Sequence, residues 1–327
     1  LGTYNVVGEP NKLSLISPEK VSDNAIGVLA FHYNEETKAW DKIENVEIKD
    51  GYVYATLESY SPIAIFTIKR DTVLVESTEL LGFPLFVANG IPVVVKKNEN
   101  DEIVAIDGNN KETILPSNVI IIRGPIDGSD LDSTSVYLNG VKIEEVIGGS
   151  INIDKVSKVK SVNVTIIDSQ LASITGGRFN CRTEEVNFKI KNTISNYFGV
   201  GDSWLSKIKK DCNTMETCGL GSNSWNKKAT VNIENSEIET CYAAGSTGFF
   251  YAKDSVININ GGSFKYLTVG GSNGKSDNMY INVSNADIKV FQTTNRGIVN
   301  GAKSVINNCN IEKLFIAGDS TDDSVTG

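Results

Sequence analysis

The chain has 327 residues, of which 40% are hydrophobic and 22% charged, a composition typical of a globular protein and not of a disordered one. Its net charge of −9 argues against nucleic acid as a partner, because duplex binding needs a basic face that displaces counterions. An anionic polysaccharide is not excluded, since a local basic patch would suffice. No apolar run approaches about 18 residues, so we predict no membrane span in this sequence.

Residues 1–70 are predicted to form a separate small β domain. Segments 26–33 and 40–46 have the composition of strands, 51–57 alternates apolar and polar residues, and 63–68 is an apolar run. Asp50-Gly51 between two of these segments is a strong signal for a tight hairpin turn. Short strands separated by frequent turns favour a sandwich of two sheets.

Three stretches of this domain, HYNEETKAW, DGYVYATL and SYSPIAIF, carry a resemblance. The segment resembles a small β-sandwich module that is common in surface proteins of Gram-positive bacteria. The resemblance implies an extracellular, multi-domain protein, and it implies no chemistry for the module itself.

Residues 71–115 are interpreted as the junction and the N-terminal cap of a solenoid. Segments 80–87 and 91–95 are apolar and predict strands, and 98–101 predicts a turn. A cap is needed because the terminal coil of a solenoid exposes apolar side chains and unpaired backbone groups.

A repeat of about two dozen residues fills the rest of the chain and predicts a solenoid. Each copy has an apolar residue, a second apolar or bulky residue three positions later, and a third apolar residue five positions before the first. The first positions are Ile143, Leu171, Ile194, Ile238, Phe264, Ile288 and Ile311, and the second are Val146, Ile174, Tyr197, Cys241, Leu267, Phe291 and Leu314. The preceding positions are Leu138, Ile166, Lys189, Ile233, Ile259, Val283 and Ile306, with Lys189 the exception. The steps between copies are 28, 23, 44, 26, 24 and 23 residues, and the step of 44 is interpreted as two coils.

The composition of the repeats favours a parallel β-helix over a helical or leucine-rich solenoid. Val, Ile and Thr favour strands, Gly fits sharp corners, and Asn tolerates left-handed turns and can stack in ladders. We therefore predict an all-β protein with a parallel β-helix over residues 116–327 and an insertion at about 198–228. The residues alone do not give the handedness of the coil.

The repeats VNIENSEIETCYAAGS, ININGGSFKYLTVGGS and INVSNADIKVFQ resemble right-handed parallel β-helices of two kinds. One kind is the stalk or adhesin region of bacterial cell-surface proteins, and the other is the fibre, spike and decoration proteins of bacteriophage. The resemblance concerns architecture, and any function taken from the fold alone is an analogy.

The two ends of the sequence suggest an interior piece of a longer protein. It begins at Leu1 without a Met, and residues 324–327 look like the opening of a further coil. The five cysteines argue against a complete disulfide framework. Cys241 and Cys309 are expected to point inward, whereas Cys212 and Cys218 are close enough in sequence for a local disulfide.

Candidate catalytic residues come from one acidic cluster, Asp127, Asp130 and Asp132, with Arg178 as a basic partner. Polysaccharide lyases and glycoside hydrolases need clustered carboxylates, or an arginine or lysine base beside a metal-bound uronate. Arg123 and Arg182 could join the same region from neighbouring coils. A second acidic group consists of Asp319, Asp322 and Asp323. Acidic residues in Gly- and Ser-rich turns are usually only solvated, and catalysis or Ca²⁺ binding is the less common alternative for either group. No other cofactor or metal site is predicted.

Candidate ligand-binding residues are the aromatics in and near the insertion, Trp204, Trp225, Tyr242 and Tyr251. Exposed Trp and Tyr beside Asn, Asp and Lys are suited to stacking and hydrogen bonding with sugars. Core packing could explain any one of these aromatic residues as well.

The residues favour a non-enzymatic extracellular protein, a rigid rod that projects from a bacterial surface or a virion. Its expected partner is a polysaccharide, a cell-surface glycan or a neighbouring structural subunit. Two alternatives remain open. The chain could be the carbohydrate-binding module of a larger protein, or a polysaccharide lyase or glycoside hydrolase acting on an outer face of the β-helix.

Overall fold

The computed structural model describes residues 13–16, 20–21, 25–43, 46–57, 62–69, 71–76, 82–151, 157–178, 181–201, 225–244, 251–270, 275–294 and 298–316. All elements in these ranges are β-strands, which confirms the all-β prediction. The chain divides into two compact units, Leu1–Asp71 and Thr72–Gly327.

The first unit contains two three-stranded antiparallel sheets. The strands are β1 Leu13–Ile16, β2 Ala25–Asn34, β3 Ala39–Lys42, β4 Val46–Lys49, β5 Tyr52–Leu57 and β6 Ile63–Lys69. One sheet has the order β1-β5-β4 and the other β3-β2-β6. Ala30 on β2 and Ala55 on β5 share a buried cluster with Ile43, so both sheets contribute to one small core. The φ angles of Asp50 and Gly51 are +52° and +81°, which confirms the hairpin turn.

The second unit begins with antiparallel strands and passes into a stack of parallel coils. Its first strands are β7 Val73–Val75, β8 Leu85–Val87, β9 Val93–Lys97, β10 Ile103–Asp107, β11 Glu112–Ile114 and β12 Ile120–Ile122. Strand β8 pairs antiparallel with β7 and parallel with β12. Strand β9 pairs antiparallel with β10 and parallel with the next strand of the chain, Leu131–Asn139. Parallel stacking therefore already includes part of the stretch that was interpreted as the cap.

The remaining strands confirm a parallel β-solenoid of about six turns. They are β13 Leu131–Asn139, β14 Lys142–Ile147, β15 Ser157–Ile167, β16 Gln170–Thr175, β17 Cys181–Lys191, β18 Ile194–Gly199, β19 Trp225–Tyr242, β20 Tyr251–Lys253, β21 Val256–Thr268, β22 Lys275–Asp277, β23 Tyr280–Ser284, β24 Asp287–Gln292, β25 Ile298–Asn300, β26 Lys303–Asn307 and β27 Asn310–Phe315. One face consists of β12, β14, β16, β18, the second parts of β19 and β21, β24 and β27. A second face consists of β13, β15, β17, the first parts of β19 and β21, β23 and β26.

One continuous apolar core runs through the coils. Equivalent inward side chains stack on each other because parallel strands in register place them about 4.8 Å apart. One such row runs from Leu138 to Ile306 on the second face, and most of its members are almost fully buried. Each coil thus covers the apolar surface of the next, as expected for a solenoid.

Residues with a left-handed backbone conformation form a ladder at the corner between the two faces. Its members have φ between +45° and +78° and are Gly140, Asp168, Asn192, Asn235, Gly261, Asn285 and Asn308. Amide side chains bond from coil to coil, as when Asn192 Nδ2 donates to Asp168 Oδ1 at 2.9 Å and Asn308 Nδ2 donates to Asn285 Oδ1 at 2.7 Å. The expected role of Asn in turns and ladders is confirmed.

The predicted register is wrong by one residue in one coil. Ser195 and Phe198, rather than Ile194 and Tyr197, pair with the inward residues of the neighbouring coils. Ile194 is consequently 47% exposed, whereas Phe198 is fully buried. Because side chains alternate between the two sides of a strand, a shift of one residue exchanges inside and outside.

The same correction removes the exception at Lys189. Ile190, not Lys189, continues the inward row between Ile166 and Ile233. The interpretation of the 44-residue step as two coils is also wrong, because β17 and β18 pair directly with β19 across a separation of 43 residues. Most of the predicted insertion, residues 202–224, lies outside the described residues.

Candidate functional site

The outer surface of strands β18, β19, β21, β24 and β27 forms an open groove of about 320 Å³. We call this surface the groove face. Register on these five strands places outward side chains in two columns, one on each side of the inward row. The first column is Ile194, Glu237, Ser263, Asp287 and Asn310, and the second is Asn196, Glu239, Lys265, Lys289 and Glu312. A linear molecule lying across the strands would meet polar groups on every coil.

One ion pair crosses two coils of the groove face. Lys265 Nζ lies 2.5 Å from Glu239 Oε1, and both side chains are 48% exposed. The hydrogen bond to Glu239, followed by its charge, raises the pKa of Lys265. Because both groups are exposed, the pair organises the surface without contributing much stability.

Tyrosines lie beside the second column at the far end of the same strands. Tyr266 is 39% exposed and follows Lys265, whose ammonium lies 5.4 Å from the centre of its ring. Tyr197 is in register with Tyr266 two coils away, with Thr240 between them. The ring of Tyr197 also lies 5.9 Å from that of Tyr242. The groove face therefore combines hydrogen-bonding groups with aromatic rings at one margin.

The aromatic residues predicted from the sequence do not form a single group. Trp204 lies outside the described residues. Trp225 and Tyr251 are backbone neighbours in register on adjacent coils. Tyr242 is at the opposite end of β19 from Trp225, beside Tyr197.

The acidic cluster has local roles in the structure. Asp127 Oδ1 accepts hydrogen bonds from the amide and the hydroxyl of Ser129 at 2.9 and 2.6 Å. Asp130 Oδ1 accepts the amide of Lys158 at 2.9 Å, and Asp132 forms an exposed ion pair with Lys160. These contacts order a loop and the start of strand β13.

The structure does not place Arg178 with the acidic cluster. Its guanidinium is 3% exposed and forms an ion pair with Glu145, which is also buried. Burial raises the pKa of Glu145, while the charge of Arg178 and hydrogen bonds oppose that shift. Arg178 therefore has a buried glutamate as its ion-pair partner, and its guanidinium is not exposed on an outer face. Nothing in the sequence pattern indicated Glu145 as the partner of Arg178, because the two residues lie on different coils of the solenoid.

Arg123 is also buried and cannot act from an outer face. It is fully enclosed, and its Nη2 donates to the carbonyl oxygen of Ile91. Burial lowers its pKa to about 9. Arg182, by contrast, lies half-buried on β17.

The described residues contain no group of three or more His, Cys, Asp or Glu side chains arranged to hold a metal ion. The second acidic group, Asp319, Asp322 and Asp323, lies outside those residues, as do Cys212 and Cys218. Cys241 is buried, and burial raises the pKa of its thiol, whereas Cys309 is only partly buried. The inward position expected for Cys241 is confirmed.

An aromatic surface on the first unit was missed by the sequence reasoning. On sheet β3-β2-β6, Phe31 and Phe66 form an edge-to-face pair at 5.9 Å, and Tyr33 and Trp40 form another at 5.4 Å. Phe66 is 57% exposed and Trp40 48% exposed. The alternation of Phe31 and Tyr33 on β2 was the signal for this surface.

Comparison with protein-family models, with curated proteins and with solved structures finds no match. In the part of the chain that the structure describes, no helix has the length and apolar character to span a membrane.

Proposed function

We propose that this chain is a non-enzymatic extracellular protein that serves as a rigid rod and binds glycan through the groove face. The observation that carries the proposal is the open groove that crosses five successive strands with a polar side chain at nearly every outward position. Polysaccharides are linear and rich in hydroxyl groups, so they match a surface that offers repeated donors and acceptors along one direction.

The continuous core supports the role of a rod. Each coil buries its apolar residues against the next, and amide ladders tie the corners together. Bending such a stack would open apolar contacts and backbone hydrogen bonds at once. The resemblance of the segment 1–70 to modules of Gram-positive surface proteins favours a bacterial surface over a virion.

The aromatic margin supports glycan as the ligand. Tyr266 presents part of its ring to solvent beside hydrogen-bonding groups, and a sugar ring has an apolar face with polar edges. A tyrosine at such a margin can stack on the sugar while the columns bind its hydroxyl groups.

The test is a binding assay against a panel of polysaccharides and intact bacterial cell walls, with release of reducing ends followed in the same wells. We expect binding without release. The variant Tyr266→Ala should weaken binding several-fold, because it removes the stacking surface.

The matched control is Tyr280→Ala on the second face. Tyr280 also lies under a lysine ammonium, with Lys303 Nζ 5.7 Å from the ring centre. We expect this variant to bind like the unmodified protein. Release of reducing ends would overturn the non-enzymatic role, and an equal loss in both variants would exclude the groove face as the site.

A further inference from the structure

The charges of the groove face are unequal in number. Four carboxylates line the groove itself, from Glu237, Glu239, Asp287 and Glu312, against the two ammonium groups of Lys265 and Lys289. A third lysine, Lys313, lies outside this lining in the marginal row of Tyr266. Since Glu239 and Lys265 pair with each other, they largely cancel. The remainder within the groove is three carboxylates and one lysine.

Within the part of the chain that the structure describes, these three carboxylates form no ion pair with a lysine or arginine. Among the described residues no ion pair involves Glu237, Asp287 or Glu312, and all three side chains are exposed. On the second face, by contrast, exposed carboxylates are matched by lysines of the adjacent coil, as in Glu184 with Lys227 and Glu185 with Lys228. The groove face therefore carries unpaired negative charge that these two carboxylates of the second face do not.

The spacing of the carboxylates follows the coils. Glu237 and Asp287 occupy the first column with Ser263 between them, so they stand two coils, or about 10 Å, apart. Glu312 lies in the second column on the coil after Asp287. A polymer that lies across the strands would meet these carboxylates in sequence.

We propose that the glycan bound by the groove face carries protonated amino groups, as a polymer of glucosamine does, and that polyuronates and sulfated glycans are excluded. The inference rests on the proposed function of this face. Charge complementarity selects partners of opposite charge and disfavours partners of like charge. A polyuronate or a sulfated glycan on this face would be repelled by the three unpaired carboxylates. Exposed pairs are weak singly, so the selectivity comes from several of them along one polymer.

The experiment compares three soluble probes at low salt and mildly acid pH, at which the polymer amines are protonated. The probes are polyglucosamine, its fully N-acetylated oligomers and polygalacturonate. We expect polyglucosamine to bind at least about tenfold more tightly than the acetylated form, and polygalacturonate not to bind. Added salt should reduce the difference, because it screens exposed charges.

The variant Glu237→Gln/Asp287→Asn/Glu312→Gln removes the three carboxylates while keeping similar shapes. At about threefold for each exposed pair, affinity for polyglucosamine should fall roughly 10- to 30-fold, and affinity for the acetylated form should change less than about twofold. Circular dichroism verifies that the variant keeps its fold.

The control variant Asp132→Asn/Glu184→Gln/Glu185→Gln changes the net charge by the same amount outside the groove face. We expect it to bind polyglucosamine within about twofold of the unmodified protein. An equal loss in the two triple variants would overturn the inference, because attraction would then depend on net charge alone.

The outcomes separate this inference from the proposed function. Preference for the acetylated form or for polygalacturonate, with a loss in Tyr266→Ala, would refute the amine and leave glycan binding intact. Failure of every polysaccharide to bind would refute both.

Discussion

The substitution Phe198→Ala tests the register of the coil in which sequence and structure disagree. Phe198 is fully buried in the solenoid core, and its ring lies edge-to-face on that of Phe188 at 5.0 Å. Truncating a buried phenylalanine costs about 3–5 kcal/mol, because apolar contacts are lost and a cavity remains. Of this, about 0.5–1.5 kcal/mol belongs to the ring pair and should appear as coupling with Phe188→Ala.

The matched comparison is Ile194→Ala, four residues earlier. Since Ile194 is 47% exposed, its truncation should cost about 1 kcal/mol or less. Urea unfolding followed by far-ultraviolet circular dichroism gives both free energies from the midpoint at constant slope. A greater loss for Ile194→Ala than for Phe198→Ala would refute the register and restore the frame in which Ile194 points inward.

Substitutions at four further positions probe the corners and the buried ion pair. Asn285→Ala should cost about 1–3 kcal/mol in thermal unfolding, and Asn285→Gly less, because φ is +55° and Gly relieves that strain while both lose ladder hydrogen bonds. Gly176→Ala should destabilise more than Gly140→Ala. A Cβ at Gly176 would overlap a backbone carbonyl of the next coil, whereas Gly140 has free space and only a φ of +66° to oppose a side chain. Arg178→Met should cost about 3–5 kcal/mol at neutral pH, because it leaves a carboxylate buried without its partner. Burial raises the pKa of Glu145 above its ordinary 4.5. The loss of unfolding free energy in Arg178→Met should therefore shrink as pH falls toward 4.5, where the carboxyl is protonated, and grow as pH rises through the pKa of the folded state. A loss that does not change with pH would contradict this.

The solenoid could be predicted because its signal is repeated. Inward apolar residues at a period of about two dozen, with Asn, Asp or Gly at the corner, recur in every coil, and one irregular copy does not hide the pattern. The register of a single coil is more fragile. Ser195 occupies an inward position and Ile194 the outward one beside it, so local hydrophobicity indicated the wrong frame. Only pairing with both neighbouring coils decides between them.

The candidate site was harder to predict for a physical reason. Outward residues are polar on both faces, and sequence alternation gives their direction without telling which face forms a groove. The columns of the groove face are visible in SEIET, GSFKY, ADIKV and CNIEK only once the coils are aligned. Arg178 was offered as a basic partner of the acidic cluster from a neighbouring coil, whereas the fold buries it against Glu145. Direction of the side chain, inward or outward, was the missing information.

The most direct test of glycan binding on the groove face is carboxyl footprinting. Exposed carboxylates are labelled with a carbodiimide and an amine, with and without a bound polysaccharide, and the labelled positions are quantified by mass spectrometry. The account predicts protection of Glu237, Asp287 and Glu312, and unchanged labelling of Asp132 and Glu184 on the second face. Protection of the second face, with the groove face labelled as before, would contradict it.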